Sequence, residues 1–141
     1  MKKILLIIVF LFLLIGCTSN KEENNIEEEF MDKVNITVNN REYVLELEDS
    51  QTTREFLNTL PLSITMEELN GNEKYKYLDN KFTTDSKVPE IINKGDVMLY
   101  GNNCLVIFYK TFTTTYSYTK IGHINNLEEI GDNNIIVTIT K

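Results

Sequence analysis

The chain has 141 residues, is 42% hydrophobic and 25% charged, and sets 14 Lys+Arg against 21 Asp+Glu for a formal net charge of −7. That length suits one domain with its own core, and the excess of acid excludes a routine nucleic-acid binder, which needs a basic footprint for phosphates. With no Trp, two Cys and one His, little material is left for a metal cluster or a disulfide framework.

Met1-Lys2-Lys3 opens the chain with positive charge, and twelve unbroken apolar residues follow, Ile4 to Ile15. As a helix they reach about 18 Å, short of the ~30 Å hydrocarbon core of a bilayer. The segment has the proportions of a secretory signal peptide. Leu14-Ile15-Gly16-Cys17 resembles the bacterial lipoprotein lipobox. That resemblance implies cleavage before Cys17, thioether attachment of a diacylglyceryl group to its sulfur, and acylation of the new N-terminus. Several acyl chains on one residue supply the multiple hydrophobic signals that stable anchoring needs. Residues 1–16 are therefore expected to be a signal peptide, with Cys17 as the lipidation site. The expected location is the extracytoplasmic face of the cell membrane.

Residues 18–32 carry six acids and one Lys with few apolar groups. This composition cannot bury enough surface to offset ordering entropy, so residues 17–32 read as a lipidated Cys and an acidic disordered tether. The domain then spans residues 33–141.

From Lys33 the apolar residues recur with period two, the signature of half-buried strands. Val34, Ile36 and Val38 alternate with polar residues, Asn39-Asn40 supplies a turn tolerant of positive φ, and Tyr43, Leu45 and Leu47 resume the alternation as a hairpin. Asp49 to Leu60 is the best helix candidate: Thr52-x-x-Glu55 fits a capping box, Phe56, Leu57 and Leu60 share a face, and Pro61 stops it. Leu62, Ile64 and Met66 form a strand, Asn70-Gly71-Asn72-Glu73 a turn, and Tyr75 and Tyr77 an aromatic pair in the next strand. Thr83 to Pro89 reads as loop, and Asn93-Lys94-Gly95-Asp96 as a turn into Val97–Tyr100.

After the Gly101-Asn102-Asn103 turn comes Cys104–Tyr109, the most apolar strand of the domain and one expected to be buried on both faces. Thr111 to Thr119 is β-prone but polar. Ile121–Ile124 is a short strand, Leu127–Ile130 at most one helical turn, and Ile135–Ile139 the last strand. About eight short strands between Asn/Gly turns, with one or two short helices, predict a mainly β fold. A small closed eight-stranded barrel is the expected architecture, because closure removes exposed edges.

Gly95-Asp96-Val97-Met98-Leu99-Tyr100, then Cys104–Lys110, Phe112, Ser117-Tyr118-Thr119 and Ile121-Gly122, resemble the bacterial cyclophilin-like fold family. Phe56-Leu57 with Leu60-Pro61, and Gly71-x-Glu73-Lys74, extend the resemblance upstream. It covers roughly Val34 to Lys141 and implies an eight-stranded barrel with a helix closing one end. True cyclophilins are peptidyl-prolyl isomerases whose catalysis leans on an Arg in a Phe-His-Arg sequence, a Gln-Phe-Phe strand, and a Trp and His at the proline pocket. This chain has no Phe-His-Arg, no Gln-Phe-Phe and no Trp; its only arginines are Arg41 and Arg54, and Val106-Ile107-Phe108-Tyr109 occupies the comparable strand. No catalytic residue carries over.

Cys104 with His123 as base is one arrangement for nucleophilic chemistry, but a Cys in an apolar strand is ordinarily an inert small hydrophobe. A lone His is a poor metal site, because zinc takes three or four protein donors. Glu67-Glu68 and Glu128-Glu129 read as solvated charges, because neighbouring strand residues point to opposite faces. The aromatics are more suggestive, since they concentrate in one half of the domain. Tyr100, Phe108, Tyr109, Phe112 and Tyr118, with Asn102, Asn103 and the hydroxyls of Thr113–Thr115, are candidate ligand-binding residues for a pocket at the barrel. The competing reading is that strand aromatics are core and cross-strand packing. The sequence as a whole points to a membrane-anchored, non-catalytic binding module for a peptide or small apolar ligand, needing no cofactor and no metal. A divergent prolyl isomerase acting on exported proteins is the alternative.

Overall fold

The structure, a computed structural model, describes residues 29–141. The expected signal peptide, Cys17 and most of the expected tether lie outside the described residues.

Two strands, β1 (Lys33–Val38) and β2 (Arg41–Leu47), form the first hairpin, with Val38 opposite Arg41 and Lys33 opposite Glu46. Asn39 and Asn40 take φ of 46° and 66°, the double positive φ of a turn whose twist matches paired strands. The helix α1 (Gln51–Leu57) is shorter than the sequence predicts. Its N-cap is Ser50, whose Oγ accepts from the Thr53 amide at 3.1 Å. The expected capping box from Thr52 does not form, because Glu55 is engaged elsewhere: its carboxylate accepts from the Thr83 amide at 2.7 Å and the Thr83 hydroxyl at 2.8 Å.

The remaining strands are β3 (Leu62–Leu69), β4 (Glu73–Tyr77), β5 (Ile91–Ile92), β6 (Asp96–Tyr100), β7 (Cys104–Phe108), β8 (Phe112–Thr113), β9 (Thr119–Ile124) and β10 (Ile135–Thr140). Eight of them close into an antiparallel barrel in the order β1-β10-β3-β4-β7-β6-β9-β2, as the strand count predicted. The short β5 and β8 pair with each other outside it; β8 falls in the β-prone Thr111–Thr119 segment, whereas β5 has no counterpart among the expected strands. No helical turn forms at Leu127–Ile130; that segment is irregular, and Leu127 is buried in the interior cluster.

Alternate residues of each strand fill the barrel: Val34, Ile36 and Val38 from β1, Leu105 and Ile107 from β7, and Ile135, Val137 and Ile139 from β10. At one end, Phe56 of α1 meets Phe82 edge to face with ring centroids 6.2 Å apart. The chain around Phe82 is held there by the β6–β7 turn: the Leu78 and Phe82 amides donate to the Asn103 and Asn102 carbonyls at 2.8 and 2.9 Å.

The other end of the barrel interior is polar. Lys74 is 0% exposed, its ammonium ion-paired with Glu68 and donating to the Asn133 carbonyl at 2.7 Å. The Tyr109 hydroxyl also donates to the Glu68 carboxylate, at 2.8 Å. Burial works against ionised Glu68, but the hydrogen bonds from Lys74 and Tyr109 outweigh it and hold its pKa below the ordinary carboxylate value. Glu68 is thus the partner of a buried cation rather than a solvated charge. Its neighbour Glu67 does point outward, as alternation requires.

Candidate functional site

Closure decides which residues of β4, β6 and β7 face away from the interior. Register places Tyr75 opposite Val106, Tyr77 opposite Cys104, and Tyr100 on the far side of Cys104. Met98, Val106 and Phe108 form a second apolar cluster with Ile92 and Tyr118, separate from the barrel core. An outer sheet face this apolar needs a cover, and β5, β8 and the chain to Tyr118 provide one. That cover is pinned by Thr114 N donating to the Glu90 carbonyl at 2.9 Å and by a reciprocal backbone pair between Lys87 and Tyr118, both bonds 2.9 Å.

Sheet and cover do not meet completely. Between them lies a pocket of about 750 Å³, floored by Tyr75, Tyr77, Cys104 and Val106 and roofed by Phe112, Tyr116 and Tyr118. The hydroxyl-bearing Thr113, Thr114 and Thr115 lie along the roof, and Asn72 and Glu73 stand at the β3–β4 end. The rings form a connected wall: Tyr100–Tyr116 at 6.4 Å, Tyr100–Tyr118 at 5.8 Å, Phe108–Tyr118 at 5.3 Å and Phe108–Phe112 at 5.7 Å between centroids. All are edge-on or tilted, the arrangements aromatic quadrupoles favour. Tyr75 and Tyr77 make a second edge-on pair across the floor, 6.1 Å apart.

Glu73 is the one charged side chain on this pocket, and it is partly buried. Burial, with the nearby Glu68 charge, raises its pKa above the ordinary carboxylate value. Its field is felt across the site. Burial first and Glu73 second push the Cys104 thiol up to about 11 and the Tyr118 hydroxyl up to about 12. At neutral pH Cys104 is therefore a thiol, not a thiolate, and a poor nucleophile.

The sequence of residues 36–140 matches the model of the Cyclophilin-like family. The chain belongs to that family. Its fold is similar to the solution structure of a hypothetical protein from Archaeoglobus fulgidus, with a TM-score of 0.59 at 18% identity, covering 77% of this chain and 92% of that one. No curated protein matches.

Within this cyclophilin-like barrel the residues singled out from sequence divide. Tyr100, Phe112 and Tyr118 line the pocket. Phe108, 0% exposed, lies beneath it and supports Phe112 and Tyr118. Asn102, Asn103 and Tyr109 are not at the pocket. The two asparagines hold the barrel-end segment through their carbonyls, and Asn103 Nδ2 donates to the Leu78 carbonyl at 3.0 Å. Tyr109 turns inward to Glu68 because it lies one residue past Phe108 on a chain that alternates faces.

Cys104 and His123 do not form a pair. Tyr100 lies opposite Cys104 and Asp96 opposite His123, four residues or roughly 13 Å apart along β6. His123 Nδ1 instead lies 2.9 Å from Asp96 Oδ1. Both arginines are held away from the pocket, Arg41 by Glu128 and Arg54 by Asp49 at 2.7 Å. Sequence reasoning missed Glu73 as a site residue, although it shares the face of Tyr75 and Tyr77 by simple alternation.

Proposed function

We propose that the chain is a lipid-anchored, extracytoplasmic cyclophilin-like lipoprotein that binds a peptide or small apolar ligand in the outer-face pocket, without chemistry on it. One observation carries the binding role. Tyr77, Tyr100 and Tyr116 around the pocket are 61%, 46% and 64% exposed, although each makes an aromatic contact that could have buried it. Packing accounts for Phe108 and Tyr118 below them; it does not account for three half-open tyrosines around one cavity. Tyrosine offers broad apolar contact and a polar tip at small entropic cost, which is what binding surfaces use. The non-catalytic part rests on the engagement of Arg41 and Arg54 elsewhere and on the neutral state of Cys104. The lipid anchor rests on the Lys2-Lys3 start, the apolar run and Cys17.

Two measurements test this reading. NMR titration with proline-containing peptides and small aromatic amides is expected to shift resonances of Tyr77, Tyr100 and Tyr116 without accelerating cis/trans exchange. Accelerated exchange at catalytic protein concentrations would make the chain a divergent isomerase instead. Labelled palmitate is expected to enter the wild type and not the Cys17→Ala variant, which should leave the membrane fraction.

A further inference from the structure

The pocket's composition says more about its occupant than its shape does. Among the described residues, five tyrosines and a phenylalanine line a cavity that holds one carboxylate, Glu73, and no Lys or Arg. The cations nearest in sequence do not neutralise it. Lys74 points to the barrel interior and is paired with Glu68, and Lys76 shares that side of β4 by alternation. An aromatic face is negative at its centre, so a lining of five tyrosine rings and one carboxylate favours a cation over an anion. Such a space repels a carboxylate or phosphate and attracts a cation with apolar substituents.

Resting on the binding role proposed above, we infer that the ligand carries an organic ammonium group, which sits at the Tyr75 and Tyr118 rings with its charge directed to Glu73, while Tyr77, Tyr100 and Tyr116 line the space for the rest of the ligand. A quaternary or alkylated ammonium matches both halves of the site: its methyl or methylene groups contact the rings, and its positive charge meets the carboxylate. Among the described residues no cation pairs with Glu73, and its partial burial disfavours the ionised form. A bound ammonium supplies the missing partner. The same group reaches the pocket either in a small quaternary amine or on the lysine side chain of a peptide.

The experiment uses the full-length chain in a non-ionic detergent and titrates it, with tyrosine-ring NMR shifts as readout. Choline is compared with its neutral isostere 3,3-dimethylbutan-1-ol, and a short lysine-containing peptide with the same peptide carrying norleucine. The cations are expected to bind at least ten-fold tighter than their neutral counterparts, and Glu73→Gln is expected to remove most of that difference. Tighter binding of choline than of the lysine peptide assigns the ammonium to a small amine; the reverse order assigns it to a peptide. If the neutral probes bind as well as the cations, or Glu73→Gln leaves the ratio unchanged, the ammonium assignment is overturned while the pocket stands as an apolar site. If no probe, charged or neutral, perturbs the pocket tyrosines, both the assignment and the binding role fail together.

Discussion

The two faces of β4 and β7 treat charge in opposite ways. On the inner face, Lys74 is removed from water yet answered by Glu68, the Asn133 carbonyl and the face of the Tyr109 ring. On the outer face, Glu73, one residue earlier, is partly buried with no cation beside it among the described residues. A fold selected only for stability satisfies its buried charges or expels them. The inner face obeys that rule and the outer face breaks it, which is the pattern expected where a binding site is kept at some expense to the scaffold.

The largest effect that separates the faces comes from the inner one. Glu68→Ala leaves a fully buried lysine without its counter-charge, and removing one member of a buried pair costs about 3–5 kcal/mol. Chemical denaturation should show a loss of that order; a change below about 1 kcal/mol would mean that Lys74 finds water and that the inner face is not satisfied by pairing. The lowered pKa of Glu68 gives the sign of its pH dependence: its contribution is present above the unfolded carboxylate pKa and is lost as pH falls through the folded one. Wild-type and Glu68→Ala stabilities should therefore converge in acid.

A smaller loss is expected at the barrel wall. β9 pairs with β6 through a register shift at Val97/Met98, and Gly122 lies beside β2 so closely that a Cβ would run into the Glu46 carbonyl. Gly122→Ala should cost about 1–3 kcal/mol, as overpacking does. A neutral result would show that the β2–β9 seam is looser than the rest of the barrel.

The outer face should behave differently. Tyr116→Ala removes an exposed ring and is expected to change stability by no more than about 0.5 kcal/mol, while weakening ligand binding. Loss of stability without loss of binding would return the pocket aromatics to a packing role. Glu73→Gln is the most discriminating change, because its stability effect should be small and favourable. A raised folded pKa means that the fold prefers the protonated carboxyl. That preference is fully expressed below the unfolded pKa and disappears as pH rises through the folded one. The variant should therefore gain on the wild type as pH rises toward neutrality, measured by thermal unfolding across that range. A wild type that is the more stable of the two at neutral pH would place Glu73 among the satisfied charges and erase the contrast between the faces.

Much of this fold was legible from local pattern. Period-two alternation and Asn/Gly turns located the eight barrel strands, since each turn needs positive φ and each strand needs one apolar side. The limits of α1 were not, because Glu55 is as well suited to a capping box as to the Thr83 contact that claims it, and only the packed chain brings Thr83 within reach. The pocket was half legible: a concentration of aromatics in one half of the domain suggested it, and Tyr100, Phe112 and Tyr118 are there. Tyr109 and the Asn102–Asn103 turn were drawn in only by their nearness in sequence.

Local pattern alone set the strands, the turns and the pairing of faces: Cys104, Val106 and Phe108 must share one side of β7, and Leu105, Ile107 and Tyr109 the other. It could not say which side was inside, because β7 is apolar on both and alternation carries no label for in or out. Barrel closure supplied that label. By turning Leu105 and Ile107 inward it placed Lys74 and Tyr109 against Glu68, and left Glu73 and the tyrosines to line the outer pocket.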